Sequence, residues 1–170
     1  GYFDKSLLID LFKNIFDGDE EKVLQQYRAI YDQGVEPKVF LNDFLEVLYY
    51  LKNINSLKID GTNFSLNDEQ FETIKELSSK VENSVFLLFW QFTIQTMQEL
   101  DIISNQNLSI EMFLIRLIYI KGIKSNISSE KIESLDIPER LSRSIKNKEA
   151  LDQIKGQTID QIKNIVQEDK

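Results

Sequence analysis

All 18 aromatic side chains lie at or before Tyr119, and the last 51 residues hold none. Aromatic rings supply much of the area that a core buries. The folded body is therefore expected over residues 1–121. Residues 122–170 are expected as an extended or weakly helical tail with no core of its own. Charge divides at the same place. Residues 1–121 carry 11 bases and 19 acids, which accounts for the whole net charge of −8, whereas the remainder carries nine of each. A body of about 120 residues is long enough to bury a real core.

Within the body the apolar residues recur at helical spacing. Leu7, Leu8, Leu11, Phe12, Ile15 and Phe16 form one stripe, with Asp4 as its N-cap and Gly18 as its stop. Val23, Leu24, Tyr27, Ile30 and Tyr31 form a second, opened by Asp19, Glu20 and Glu21 at the favourable end of the helix dipole and closed at Gly34. Pro37 opens a third, with Phe40, Leu41, Phe44, Leu45, Leu48 and Leu51 along one side. Residues 52–64 read as a loop. Ser65-Leu66-Asn67-Asp68 resembles a capping box ahead of Phe71, Ile74, Leu77 and Val81. Asn83-Ser84 breaks that helix, a longer one follows over 85–102, Asn105-Gln106-Asn107 turns the chain, and a last body helix covers 109–121. With no alternating pattern of useful length, the fold class is all-α, a compact bundle of about six helices followed by the tail. In the tail, Thr158-Ile159-Asp160-Gln161 resembles a further capping box, with Ile159, Ile162, Ile165 and Val166 behind it as a candidate docking helix or a plain spacer.

The last two body helices carry more apolar surface than one face needs. Gln91, Gln95, Gln98 and Glu99 share a narrow sector of the 85–100 helix, while Phe86, Phe89, Trp90, Phe92, Ile94 and Met97 spread over more than half its circumference. In the final helix, Glu111 and Arg116 split the apolar surface in two. The larger arc holds Ile110, Phe113, Leu114, Leu117, Ile118 and Ile120; the smaller holds Met112, Ile115 and Tyr119. Either both helices are central in the body, or another chain covers part of them. Glu111 and Arg116 are correspondingly a charged pair at the rim of a core helix or the flanks of an intersubunit contact.

The chemistry of most enzyme classes has no residues here. Histidine and cysteine are absent, which removes the usual general base, thiolate nucleophiles and the usual zinc ligands. No G-x-x-x-x-G-K-[ST] phosphate loop or G-x-S-x-G elbow occurs. Asp17 to Glu21 fails calcium-loop spacing and fits the start of a helix. Glu99 and Asp101 have nothing converging on them. Tyr49, Tyr50 and Trp90 lack the basic surround of a base-stacking surface and are expected in the core. No cofactor, catalytic residue or metal site is expected, nor direct nucleic-acid binding by so acidic a body. No apolar run is long enough for a membrane span, and the N-terminus, without initiator methionine or signal-peptide pattern, is read as a cut or tag remnant.

The order of these features resembles the third, collar domain of the gamma/tau subunit of the bacterial DNA polymerase III clamp loader. The opening match runs through Leu7-Leu8-Ile9-Asp10-Leu11-Phe12, Gly18-Asp19, Gly34-Val35 and Phe40-Leu41-Asn42-Asp43-Phe44-Leu45. The stronger match is Ser109-Ile110-Glu111-Met112-Phe113-Leu114-Ile115-Arg116-Leu117, similar to the family's closing E-M-x-L-L-R-L helix. Leu88 to Leu100 is similar to its Gln- and Leu-rich penultimate helix.

That resemblance implies a non-catalytic, cytoplasmic oligomerisation domain that joins clamp-loader subunits into a collar, in the assembly that places the sliding clamp on DNA during replication. The ATPase module of such a subunit lies elsewhere. Other clamp-loader subunits are the implied partners, and the replicative helicase or polymerase subunit is implied for the tail and beyond. Glu111, Met112, Ile115, Arg116 and Tyr119 are the candidate subunit interface. The rival readings are a helical adaptor from an unrelated system, using the same surface, and a metal enzyme built on body carboxylates.

Overall fold

A computed structural model describes residues 3–57, 66–133 and 152–165, without the side chains of 128–133. Every regular element in them is helical. The order is α1 (Lys5–Asp17), α2 (Glu20–Asp32), α3 (Pro37–Asn53), a single 3-10 turn (Ile54–Ser56), α4 (Asp68–Ser79), α5 (Asn83–Glu99) and α6 (Gln106–Glu133); a further helix, α7, covers 152–165. The chain divides into two units, Gly1–Asn126 and Ile127–Lys170.

Local chemistry sets most helix ends in the first unit. The Asp4 carboxylate accepts from the Ser6 N–H at 2.9 Å and caps α1. Gly18 stops it with φ of 76°, a left-handed conformation that a side chain disfavours. Asp19 caps α2 by accepting from Lys22 N–H, with Glu20 and Glu21 in the first turn. Pro37 opens α3, where its missing N–H leaves no intrahelical bond unmade.

Several boundaries differ from the sequence expectation. The capping box at α4 is Asn67 with Gln70, two residues later than Ser65: Asn67 Oδ1 accepts from Gln70 N–H at 2.8 Å, and Gln70 Oε1 accepts from Asn67 N–H at 3.2 Å. Helix α3 runs on through Lys52 and Asn53 before the 3-10 turn; the remainder of the expected loop, from residue 58, lies outside the described residues, as does Ser65. Asn83 and Ser84 are the first residues of α5, not a break before it, and α5 ends at Glu99. Helix α6 starts at Gln106, with Asn105 Oδ1 accepting from Leu108 N–H at 3.3 Å, and passes through Gly122 to Glu133. Glycine costs a helix about 1 kcal/mol relative to alanine, too little to stop one whose neighbours favour it. Thr158 sits inside α7 with its hydroxyl donating to the Ile154 carbonyl, so it caps nothing. The tail is thus helical over 122–133 and 152–165. Every residue of α7 is exposed; Val166 lies outside the described residues.

Rings carry the core. Phe44 of α3 stacks on Phe12 of α1 at 4.3 Å and meets Phe113 of α6 edge-on at 5.3 Å. Tyr27 of α2 meets Phe40 at 5.0 Å, and Phe16 touches Phe86 and Phe89 of α5 at 6.1 and 6.0 Å. Thr93 and Thr96, the polar residues buried in α5, donate to the Phe89 and Phe92 carbonyls of their own helix. Among the described residues no buried side-chain polar atom lacks a partner. A second polar cluster fastens α1 to α3. Lys5 Nζ bonds Glu46 Oε1 at 2.8 Å, and the buried Tyr50 hydroxyl donates to the same oxygen.

Candidate subunit interface

Helix α6 packs by one face only. Ile110, Phe113, Leu114 and Leu117 are at most 1% exposed. On the opposite side Met112 is 52% and Tyr119 64% exposed, with Ile115 between them half-buried. The arc that Glu111 and Arg116 mark off in the sequence is therefore an open strip on the folded body. Two residues that sequence reasoning left out belong to it, Leu108 and Ile123, both more than half exposed. Leu108 falls just after the expected turn at 105–107, and Ile123 just past the glycine expected to end the body. The helical spacing of both was the available signal. From Leu108 to Ile123 the strip runs about 22 Å along the helix, at 1.5 Å per residue.

Glu111 and Arg116 do not pair with each other. Glu111 Oε1 accepts from Arg28 Nε of α2 at 2.5 Å. Arg116 lies 3.8 Å from Glu99 of α5. The reason is rotation: five residues turn the helix through about 500°, so the two side chains leave on opposite flanks of the strip. Each reaches a different neighbouring helix. The Arg28–Glu111 hydrogen bond, with the charge of Glu111, raises the Arg28 pKa. Nearby, the Tyr27 hydroxyl donates to Asn107 Oδ1 at 2.9 Å and fixes the start of α6 against α2; burial, then the Glu111 charge, pushes its phenol pKa up. Gln106 Nε2 donates to the Leu100 carbonyl at 3.0 Å and ties the α5–α6 turn.

A second apolar strip lies on α5. Leu87, Trp90 and Ile94 are 61%, 41% and 36% exposed, and the exposed Gln91, Gln95 and Gln98 run beside them. The expected core role of Tyr50 is met, at 0% exposure; Trp90 and Tyr49 are instead two-fifths exposed.

Polar convergence is sparse by comparison. Among the described residues no group of three or more Asp or Glu side chains is arranged to hold a metal ion. One groove of about 210 Å³, between α1 and α4, is lined by Ser6, Asp10, Asn67, Glu69, Gln70 and Thr73 with Ile9. Asp10 and Glu69 there are exposed, and Gln70 is half-buried, its Nε2 donating to Ser6 Oγ at 3.0 Å. No helix among the described residues is long and apolar enough to cross a membrane.

Fold and surface together define an all-helical module whose most distinctive outer feature is an apolar helix face held between two ion pairs. Residues 1–132 match the family model of domain III of the DNA polymerase III subunits gamma and tau. The chain belongs to that family and is a domain of a clamp-loader subunit. No curated protein matches it.

Proposed function

We propose that this chain is the non-catalytic oligomerisation domain of its clamp-loader subunit, and that the α6 strip is where it meets a neighbouring subunit. The observation that carries the reading is the contrast within one helix. Phe113 is 1% exposed while Tyr119, on the opposite face, is 64% exposed. A tyrosine and a methionine set on a rigid helix, with charged residues at the edges, are the composition of an interface centre and rim. Glu111 and Arg116 fix the helix in the body and form the edge; Met112, Ile115 and Tyr119 make the contact. Other clamp-loader subunits are the partners, and the setting is the cytoplasm. Residues 1–121 constitute the assembling body and residues 122–170 the link towards the helicase- and polymerase-contacting parts of the subunit.

The experiment is reconstitution with the other clamp-loader subunits, followed by sedimentation. Tyr119→Ala and Met112→Ala are each expected to weaken assembly by about 1–2 kcal/mol while leaving the unfolding midpoint near that of the parent. Unchanged assembly by both variants would remove the α6 strip from the interface.

A further inference from the structure

The open face of α6 runs on past the last core residue of the helix. Leu108, Met112, Ile115, Tyr119, Ile123 and Ile127 succeed one another at intervals of four, three, four, four and four residues. On a single helix these positions fall within about 120° of one another. Ile115 is half-buried and the other five are exposed. Two of the six, Ile123 and Ile127, stand beyond Gly122.

The turns before and after Gly122 differ in what sustains them. Before it, Ile110, Phe113, Leu114 and Leu117 are buried, and Ile118 and Ile120 pack against the core. After it, Ile123, Ser125, Asn126 and Ile127 are exposed, and the first compact unit ends at Asn126 while the helix continues to Glu133. Helix α6 therefore carries through Gly122 on the strength of the packed turns that precede it. Eight of the twelve residues 122–133 are glycine, serine, asparagine or isoleucine, all weaker helix formers than alanine or leucine. The Ser125 hydroxyl donates to the Lys121 carbonyl at 3.0 Å, a back-bond that slightly weakens a helix. A terminal segment of this composition is marginal in water unless an apolar face of it is covered.

We propose that α6 beyond Gly122 is a conditional helix. In the free chain the segment exchanges between coil and helix about Gly122, and a neighbouring subunit seated on the α6 strip locks it helical by covering Ile123 and Ile127. This rests on the α6 strip being the assembly face, and it adds a folding step coupled to assembly. Only the helical form presents all six apolar side chains on one face, so the affinity of the chain for its neighbour scales with the fraction already helical. Assembly thereby secures about 18 Å of helix past the packed turns.

The test is hydrogen–deuterium exchange, read by mass spectrometry, on the whole 170-residue chain and its Gly122→Ala variant, each alone and in the reconstituted loader. A Cβ at residue 122 meets nothing within 4 Å, so the body is undisturbed. Alanine favours the helix over glycine by about five-fold. In the free parent chain, amides of 123–133 are expected to exchange at least about ten-fold faster than those of 110–117, and assembly to slow them by about ten-fold or more. Gly122→Ala is expected to slow their exchange in the free chain and to tighten assembly, each by up to about five-fold. Amides of 123–133 as protected in the free chain as in the loader, with Gly122→Ala assembling no more tightly than the parent, would mean a helix complete before binding and would overturn the proposal. Exchange of 123–133 that stays fast in the loader would overturn it too. If Tyr119→Ala weakens assembly in either case, the assembly face stands and only the coupled folding step is lost. Tyr119→Ala without effect on assembly would remove the face and this proposal together.

Discussion

Truncating Phe113 and truncating Tyr119 remove comparable rings from one helix, yet the consequences should lie far apart. Phe113 is 1% exposed and meets the Phe44 ring edge-on at 5.3 Å, at the point where α1, α3 and α6 converge through Phe12. Phe113→Ala opens a cavity among rings that cannot collapse without moving a helix. The loss falls in the range of about 3–5 kcal/mol for a fully buried phenylalanine. At roughly 2–4 °C per kcal/mol for a chain of this length, the midpoint drops by about 6 °C at least and up to about 20 °C. Tyr119 is 64% exposed and contributes little buried area. Its truncation should stay within about 0.5 kcal/mol, the usual range for surface changes. Urea and thermal unfolding followed by far-ultraviolet circular dichroism measure both variants on the same protein. If Tyr119→Ala lowers the midpoint as much as Phe113→Ala, the tyrosine is part of the core and the division of α6 into a packed and an open face is wrong.

Other expected outcomes are more local. Gly18→Ala forces a side chain into φ of 76° where space is free, so it should cost about 1 kcal/mol from backbone strain alone, read by chemical denaturation. Burial opposes ionisation of Glu46, but hydrogen bonds from Lys5 and Tyr50 outweigh it and hold its carboxyl below the ordinary value of 4.5. The stability Glu46 contributes is thus present above that value and lost as pH falls through its lowered one. Asp43 runs the other way: burial, then the Glu46 charge, raises its pKa, so it favours the fold on acidification. Glu46→Gln should flatten the loss of stability between neutral and acid pH, and an unchanged pH slope would show that the Lys5–Glu46–Tyr50 cluster holds nothing. Deleting residues 127–170 should move the midpoint of the remaining chain by less than about 5 °C, because no aromatic lies in the removed part. Duplex DNA should bind no tighter than about micromolar at physiological salt, since an acidic body offers no cationic track; fluorescence anisotropy titration checks this.

Much of the fold was legible because its helix ends are written in short-range chemistry. Asp4, Gly18, Asp19 and Pro37 each act within a turn of their own position, and each does in the structure what its type suggests. Choices between adjacent capping groups were less readable. Ser65 and Asn67 both offer an oxygen ahead of Phe71, and the reciprocal bond from Gln70 selects Asn67. Gly122 reads as an end because glycine often follows a helix, but that role needs a left-handed backbone, and Gly122 lies within α6. On α6, periodicity separates Met112, Ile115 and Tyr119 from Phe113 and Leu117 by rotation around the helix alone. It does not reveal the partners of Glu111 and Arg116, because Arg28 is 83 residues from Glu111 in sequence and only the packing of α2 beside α6 brings them together. Leu108 and Ile123 escape for a simpler reason: α6 extends beyond the expected helix at both ends.

The central claim, that the open face of α6 is covered when clamp-loader subunits assemble, is tested most directly by hydroxyl-radical footprinting of the chain alone and in the reconstituted loader. Methionine and tyrosine are both reactive towards the radical, and Met112 and Tyr119 are each more than half exposed in the single chain. The account predicts strong modification of both in the free chain and several-fold protection of both in the assembly, with Phe113 unreactive throughout. Equal modification of Met112 and Tyr119 in the free and assembled states would contradict it.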